Sequence, residues 1–422
     1  MKPPKLGRQT FLRDYPASGS SFDQFIREVY DREEDHNPLF TGRYFLILRE
    51  DHKNEVKTTK MLEAKWGFKV ANTADFITET LNESKIKGAD ALFYHDLGVV
   101  LVGAEDDLIH LLSSQDTDYF VEPEKVVYIP DDVPEETDNA STWGIRITEA
   151  LHSPYTGAGV GVAVIDTGFD SSHPDFKGRE LTTQSFVPGE TMDDMHGHGT
   201  HCIGTACGSV DGDGQRYGVA SGAHIYAGKV LSNQGSGAQA WVLNGMTWAA
   251  NNGCRVLSMS LGSRVFPGQT YDVAYERAAQ FALSKGTIIV AAAGNDSRRS
   301  KNQFSPVGSP ADCPSILAVA AIDPSLQVAD FSNRAVNPGG LVDIAAPGVG
   351  IYSSWPMPLR NRIISGTSMA TPHVAGILAL LWEKSPDATP AAIEKELRET
   401  ARSLSLSPDD VGAGLSIAPK AK

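Results

Sequence analysis

From Trp143 onward, short runs of continuous apolar residues alternate with segments whose apolar residues recur at helical spacing. Strands that are apolar on both faces are typical of a parallel sheet that helices cover on each side. We therefore predict an α/β domain over residues 143–422, with its chemistry at the carboxyl ends of the strands. The predicted strands are Val160–Ile165, Ile225–Val230, Val256–Leu261, Ile288–Ala292, Leu317–Ala321 and Val342–Ala345, and the predicted helices are Ala238–Asn251, Tyr271–Lys285, Thr371–Lys384 and Pro390–Leu404.

A different pattern precedes this domain. Over residues 43–129 the apolar spacing predicts the order β-α-β-β-α-β, which is typical of a small ferredoxin-like α+β domain. Residues 1–42 are polar and mixed, so we expect a poorly packed extension, and the acidic, proline-containing residues 130–142 predict an exposed linker. The predicted strands are Arg43–Arg49, Ala91–His95, Gly98–Gly103 and Asp118–Ile129, and the predicted helices are Val56–Trp66, Ala74–Leu81 and Glu105–Leu112.

Composition narrows the function classes. The 422 residues suffice for two or three domains, and a formal net charge of −15 argues against nucleic acid or an anionic membrane as partner. No stretch approaches the ~18 apolar residues of a membrane span, and the N-terminal residues lack the apolar core of a signal peptide. We expect a monomer that is either cytoplasmic or exported by another route.

The four cysteines do not make a disulfide scaffold in a chain of this length. Cys202 and Cys207 lie five positions apart in a predicted helix, which is too far for a bridge. Pairing between Cys254 and Cys313 stays open.

Four polar side chains fall at strand ends or at helix starts. Asp166 follows the first apolar strand of the larger domain, and Asn295 follows the strand that ends in Ala291-Ala292-Ala293-Gly294. His198 precedes an apolar helical stretch, and Ser368 lies on the first turn of a long apolar helix. Each residue alone is explained equally well as a helix cap or a turn residue.

Taken together, these four residues supply the parts of a nucleophilic site. A serine hydroxyl is a weak nucleophile near neutral pH, so it needs a base within hydrogen-bond reach and a third group that fixes the tautomer of that base. Ser368, His198 and Asp166 fit these roles. The side-chain amide of Asn295 is suited to donate to a developing oxyanion.

Two other hydrolytic classes compete with this interpretation. His196, His198 and His201 form an H-x-H-x-x-H cluster that a zinc hydrolase could use, although Thr200 stands where an aspartate is expected. Asp166-Thr167-Gly168 is the motif of an aspartic protease, but that class needs two such motifs and the sequence has no second one.

Residues 143–404 resemble the subtilisin family of serine proteases, the subtilases. The resemblance implies a subtilisin-like parallel sheet with helices on both faces and an Asp-His-Ser triad of Asp166, His198 and Ser368, with Asn295 and the Ser368 amide as oxyanion donors. His198 would act as general base and then general acid in a serine endopeptidase. The segments that carry the resemblance are residues 162–176, 196–208, 258–262, 291–295 and 366–376.

The resemblance also implies how polypeptide substrates bind. The family takes its substrate as an added β-strand between two edges of the cleft. One pocket of the cleft receives the substrate residue that precedes the cut bond. Because small residues line this pocket, we expect it to accept large apolar substrate side chains, and we expect broad specificity. The implied substrate-binding residues are Gly235, Ser236, Gly237 and Ala238 on one edge, Ser260, Leu261 and Gly262 on the other, and Ala292, Ala293 and Gly294 in the pocket together with the second edge.

Residues 43–129 are similar, by pattern rather than motif, to the family's inhibitory propeptide, and residues 118–124 resemble its end. The resemblance implies a self-inhibited zymogen in which this domain assists folding, places its C-terminal tail in the cleft and is released by self-cleavage in the linker 130–142. The alternative is a pseudoprotease that keeps its propeptide and acts as a binding protein.

No cofactor is expected for the chemistry, and the metal site is left open. By resemblance Asp175 matches a calcium ligand of the family, and residues 211–214 are rich in carboxylates, although solvated turn aspartates explain them as well.

Cys202 lies one helical turn after His198, as in the proteinase K-like branch. Its simplest interpretation is a small buried apolar residue, and we expect mercurials to inhibit by displacing His198.

Overall fold

The computed structural model describes residues 22–24, 39–49, 59–60, 62–64, 67–76, 86, 88–103, 119–129, 133–134 and 143–421. Five strands from the N-terminal part lie side by side in the order β5-β1-β4-β3-β2, and all neighbours are antiparallel except β2 and β3. These strands are β1 (Phe40–Leu48), β2 (Val70–Asn72), β3 (Ala91–Tyr94), β4 (Val99–Gly103) and β5 (Tyr119–Tyr128).

The four strands predicted for the N-terminal domain are therefore confirmed, whereas its helices are tested only in part. Residues 59–60 and 62–64 are helical, as predicted for Val56–Trp66, and the helix predicted at Glu105–Leu112 lies outside the described residues. Of the segment Ala74–Leu81, the described part belongs to one 3-10 turn at Thr73–Phe76. The ferredoxin-like assignment stays a prediction.

Two expectations about the ends of this domain are tested at only a few residues. Within the extension 1–42, Phe22 and Asp23 are buried and β1 begins at Phe40, so this described part is packed, unlike the expectation for it. Within the linker 130–142, the described residues Val133–Pro134 form a strand, and the exposure of the linker stays a prediction.

A seven-stranded sheet in the order β14-β13-β12-β11-β7-β9-β8 forms the centre of the larger domain, and its neighbouring strands are parallel. A three-stranded sheet, β15-β16-β6, lies beside it. The strands are β6 (Val133–Pro134), β7 (Gly161–Asp166), β8 (Leu181–Ser185), β9 (His224–Lys229), β10 (Ser236–Ala238), β11 (Val256–Met259), β12 (Ile288–Ala292), β13 (Leu317–Ile322), β14 (Ile344–Pro347), β15 (Ile351–Ser354) and β16 (Asn361–Ser365).

Helices cover this sheet. In helix α5 every residue from Thr367 to Trp382 is buried, and the helix packs against β11, β12 and β13. The parallel α/β architecture is therefore confirmed. The helices are α1 (Trp143–Ile147), α2 (His198–Cys207), α3 (Gln239–Asn251), α4 (Val273–Ser284), α5 (Thr367–Lys384), α6 (Pro390–Thr400) and α7 (Pro408–Val411).

Two helix boundaries differ from the prediction for a local reason. Helix α5 begins at Thr367 instead of Thr371, so Pro372 lies inside it. The carbonyl oxygen of Ser368, four positions before Pro372, accepts from the Ser260 hydroxyl in place of the amide that proline lacks. Helix α6 has the predicted cap, in which the Thr389 side chain accepts from the Ala392 amide, but it ends at Thr400 instead of Leu404. There Arg402 leaves the helix and exchanges two backbone hydrogen bonds with Leu415.

The two domains are joined through the starts of two helices. Neither α3 nor α4 receives a capping hydrogen bond from its own N-cap side chain. Strand β5 supplies the acceptors instead: Glu124 accepts from the Ala240 amide at 3.0 Å, and Glu122 accepts from Val273 at 2.9 Å and from Ala274 at 3.3 Å. Carboxylates at these positions satisfy open amides and oppose the positive end of the helix dipole.

In the part of the chain that the structure describes, no helix combines the length and the apolar character needed to cross a membrane.

Candidate active site

Asp166 and His198 form a buried pair at the carboxyl edge of the central sheet. Strand β7 ends at Asp166 and helix α2 begins at His198, and each residue is about 1% exposed. His198 Nδ1 lies 2.7 Å from Asp166 Oδ1, which also accepts a hydrogen bond from the Thr167 amide. A buried carboxylate needs such partners, and its bond to Nδ1 leaves Nε2 as the nitrogen that can act as a base.

Glycines around His198 allow the close approach of this pair. Gly197 precedes α2 with a φ of 105°, and a Cβ there would lie 2.3 Å from the ring of Trp355. A Cβ on Gly199 would lie 2.3 Å from the carbonyl oxygen of Gly168. The glycines of the His-Gly-His-Gly motif are thus required by backbone conformation and by contact with the loop after β7.

Asp194 connects the loops that carry the two residues, and the sequence analysis missed it. This buried carboxylate accepts from the Thr167 hydroxyl at 2.9 Å, from the His196 and Gly197 amides at 3.1 and 2.7 Å, and from the amide and hydroxyl of Thr200 at 2.8 and 2.7 Å. The signal available in the sequence was an acidic residue four positions before the histidine at the helix start.

Ser368 lies near the histidine at the start of α5. It is fully buried, and its carbonyl oxygen accepts from the Ser260 hydroxyl at 2.8 Å. Cys202 Sγ contacts both sides of the site, since it lies 3.8 Å from His198 Nδ1 and 3.6 Å from the Ser368 carbonyl oxygen. The structure therefore brings Ser368 close to the pair Asp166 and His198, although the serine is far from both in sequence.

Asn295 is fixed beside the serine by its neighbour. Asn295 Oδ1 accepts from the Thr367 amide at 2.9 Å and from the Thr367 hydroxyl at 2.7 Å, and the same hydroxyl accepts from the Gly294 amide at 3.2 Å. Both contacts to Thr367 use the oxygen of the side-chain amide. The donor end, Nδ2, is thus not consumed by Thr367, the residue that precedes Ser368.

The two predicted edges of the cleft flank a strand of the same chain. Strand β5 is antiparallel to β10 on one side, and on the other side Tyr128 and Gly262 exchange two hydrogen bonds of 2.9 Å each. The Ile129 amide donates to the Gly235 carbonyl oxygen at 3.1 Å. The paired residues on the first edge are Ser236 with Tyr128, Gly237 with Val127 and Ala238 with Val126.

The remaining predicted pocket residues follow two neighbouring strands. Ser260 and Leu261 come after β11, and Ala292, Ala293 and Gly294 lie at or after the end of β12, which pairs with β11. All five are buried. Ser260 contacts Ser368 directly, whereas Leu261 is 0% exposed and belongs to the core.

The histidine cluster does not form a metal centre. His201 Nε2 lies 3.0 Å from the carbonyl oxygen of Ile351 and 3.2 Å from that of Arg362, and burial lowers the pKa of His201 to about 3. The zinc alternative with His196, His198 and His201 therefore lacks its geometry. Among the described residues, the ligating atoms that converge belong to Asp166, His198 and Cys202.

Two of the carboxylates considered for calcium, those of Asp175 and Asp211, already have protein partners. Asp175 is contacted by the Arg360 guanidinium at 2.6 Å and by the Tyr217 hydroxyl at 3.1 Å. Asp211 accepts from two amides of its own loop and from the Tyr352 hydroxyl at 2.7 Å. Calcium takes about six to eight oxygen ligands. The carboxylates of Asp175 and Asp211 already accept from protein donors, so these two residues do not fit the ion.

All four cysteines are buried thiols, so the bridge left open between Cys254 and Cys313 is not formed.

Comparisons with known proteins agree with this geometry. The model of the subtilase family matches residues 157–414. The chain is 43% identical to subtilisin E of Bacillus subtilis (strain 168) over 282 residues, which covers 65% of this chain and 70% of that protein. It is 44% identical to the subtilisin of Bacillus pumilus over 255 residues, which covers 60% of this chain and 87% of that protein. The solved structure of sphericase matches with a TM-score of 0.57 and 32% identity, covering 66% of this chain and 98% of the other.

Proposed function

This chain belongs to the subtilase family of serine endopeptidases, and from that premise we propose that it cuts peptide bonds with Asp166, His198, Ser368 and Asn295. The observation that carries the proposal is the 2.7 Å hydrogen bond between His198 Nδ1 and Asp166 Oδ1, buried beside Ser368. A structural ion pair would not need a serine at a helix start in the same cluster.

In the proposed mechanism His198 moves the proton. His198 Nε2 takes the proton of the Ser368 hydroxyl as Ser368 Oγ attacks the substrate carbonyl carbon. The imidazolium then gives this proton to the leaving amine, which leaves an acyl-enzyme that water hydrolyses by the same route. Asp166 orients the imidazole and stabilises its charged form.

Asn295 Nδ2 and the Ser368 amide are the proposed donors to the oxyanion. The Thr367 contacts hold Asn295 Oδ1, so the amide group is oriented before substrate binds. The start of helix α5 adds the positive end of its dipole at the same point.

Strand β5 supports the proposed mode of substrate binding. Its residues Tyr128 and Ile129 are hydrogen-bonded to Gly262 and Gly235 in the way expected of a substrate strand between two edges. We propose that a polypeptide substrate pairs with the same backbone groups once β5 has left.

The same contacts support a self-inhibited zymogen. The cleft holds a strand of the chain itself, and Glu122 and Glu124 cap two helices of the larger domain. Arg277 on α4 donates to the carbonyl oxygens of Leu48 and Gly98 in the smaller domain. We propose that cleavage in the linker 130–142 allows the N-terminal domain to dissociate and opens the cleft.

The deciding experiment compares the intact chain with Ser368→Ala. A fluorophosphonate should label Ser368 in the former, and the variant should remain uncut on a denaturing gel. Normal cutting by the variant would exclude self-processing by Ser368. An intact chain that is never labelled and never cut, even after long incubation, would favour the pseudoprotease that keeps its propeptide.

A further inference from the structure

Residues 22–24 of the N-terminal segment contact the larger domain at a place that the proposed mechanism does not use. Phe22 and Asp23 are 3% and 5% exposed, so both are buried. They lie against the turn that leads into β10 and against the first turn of α3. That turn is closed by hydrogen bonds from the Ser232 amide to the Ser236 carbonyl and from the Gly235 amide to the Ser232 carbonyl.

Asp23 is held by two hydroxyl groups of this turn. Asp23 Oδ1 accepts from Ser232 Oγ at 2.5 Å and from Ser236 Oγ at 2.8 Å, and Ser232 is fully buried. A carboxylate that is removed from water needs hydrogen-bond donors, and these two hydroxyl groups supply them. Ser232 Oγ also accepts from the Gln234 amide at 3.2 Å, so its own proton is directed to an acceptor, the Asp23 carboxylate. An apolar side chain in place of Asp23 would leave both hydroxyls without this acceptor.

Phe22 packs against an apolar surface next to the turn that holds Asp23. Its ring centroid lies 4.8 Å from that of Trp241, a residue of α3 that is 0% exposed. The interplanar angle of 52° is a tilted arrangement within the favourable range for aromatic pairs. The aromatic ring and the adjacent carboxylate therefore have separate, complementary partners on the larger domain.

Ser236 connects this contact with the cleft. Its backbone pairs with Tyr128 of β5, while its side chain donates to Asp23. One residue of the cleft edge is thus held from two sides by two N-terminal segments that are more than a hundred positions apart in sequence.

We propose that the catalytic domain carries an accessory pocket, formed by Ser232, Ser236 and Trp241, that binds an aromatic residue followed by an acidic one. In the intact chain its occupant is Phe22-Asp23, which provides an attachment of the N-terminal part separate from β5. The proposed pocket rests on the proposed function only in one respect: the attachment counts as inhibition only if the larger domain is a protease. After the N-terminal part dissociates, the pocket is open to another peptide with the same pair of side chains.

The test uses the full chain with Ser368→Ala, which avoids self-cleavage, and follows hydrogen exchange of residues 232–238. Phe22→Ala, Asp23→Ala and Ser232→Ala should each speed exchange there by about tenfold, because each removes one partner of the contact. Asp23→Asn keeps one acceptor oxygen and should have a smaller effect. Glu63→Ala removes an exposed acidic side chain of the same N-terminal part and is the matched control.

Exchange in β11 and β12 reports whether a variant is still folded. If Asp23→Ala speeds exchange there too, Ser232→Ala tests the contact from the other side. Exchange at 232–238 that equals the Glu63→Ala control in the folded variants would overturn the proposal. In the chain that keeps Ser368, Asp23→Ala should also speed fluorophosphonate labelling. Absence of labelling in every chain would count against the proposed function alone, since the exchange measurement does not depend on catalysis.

Discussion

The Thr167 hydroxyl donates a 2.9 Å hydrogen bond to Asp194 Oδ1, and this bond joins the loop after Asp166 to the loop before His198. Asp194 also accepts hydrogen bonds from the backbone amides of Gly197 and Thr200, which flank His198, so it fixes the relative position of the catalytic pair. It touches neither Ser368 nor β5 in any described contact, and we regard it as a positioning residue.

Asp194→Asn should lower kcat by about 10- to 100-fold with little change in KM, because one acceptor oxygen becomes a donor and the imidazole is misplaced. The measurement is steady-state cleavage of a peptide substrate. Asp193→Asn is the matched control, since Asp193 is the exposed neighbour. Unchanged kcat in Asp194→Asn would show that the loops are held by other contacts.

Docking of β5 should weaken as the pH rises from about 5 to about 7. Burial, with a further effect of the Asp272 charge, raises the pKa of Glu122 to about 7, while two amides and Lys125 act in the opposite direction. Because the docked state binds this proton more tightly, the stabilisation is complete below the ordinary pKa of the group and is lost as the pH passes the raised value. Asp312 of the larger domain, whose pKa burial also raises to about 7, adds a pH dependence of the same sign to the stability of the whole chain.

This dependence can be measured as the Tm of the Ser368→Ala chain from pH 5 to pH 8. Glu122→Gln stays neutral throughout, so it should have a flatter profile than its parent, with the residual slope due to groups such as Asp312. Parallel profiles for the two chains would show that Glu122 does not titrate in this range.

A mercurial should inactivate the enzyme slowly through Cys202. Burial raises the pKa of this thiol to about 11, so little reactive thiolate is present at neutral pH. Once mercury is attached, a bulky group lies between His198 and the Ser368 carbonyl, which Cys202 Sγ contacts. Cys202→Ala should keep activity in excess mercurial, as followed by peptide cleavage over time. Equal inactivation of this variant would implicate one of the other three buried cysteines.

Arg360 should stabilise the fold by neutralising Asp175, the carboxylate for which a calcium ion was considered. Its guanidinium contacts Asp175, whose side chain is 1% exposed, so Arg360→Gln leaves a buried carboxylate without its cation and should lower the Tm by a few degrees. The loss should be the same with calcium or with a chelator. Lys395→Gln, which removes an exposed ion pair with Glu399, should have almost no effect. A calcium-dependent loss would show that an ion binds near Arg360.

The sequence alone determined the features that depend on local pattern. Strands β7, β11, β12 and β13 are buried on both faces, so their apolar runs predicted them within a few residues. Polar edge strands such as β8 (Leu181–Ser185) carry no such run and were missed. The site residues were predictable because the chemistry requires a carboxylate, an imidazole and a hydroxyl at strand ends and helix starts.

The tertiary structure decided which groups satisfy one another across the fold. Nothing local in the sequence pairs Asp23 with Ser232 and Ser236, or Glu122 with the start of α4, because these contacts join segments more than a hundred positions apart. The same holds for Arg360 at Asp175. The contact of Asp194 with Thr167 spans 27 positions, and it too depends on how two loops pack. A periodic pattern records which face of an element is buried, whereas the partner of a buried charge is set by how the elements pack, and only the folded chain contains that information.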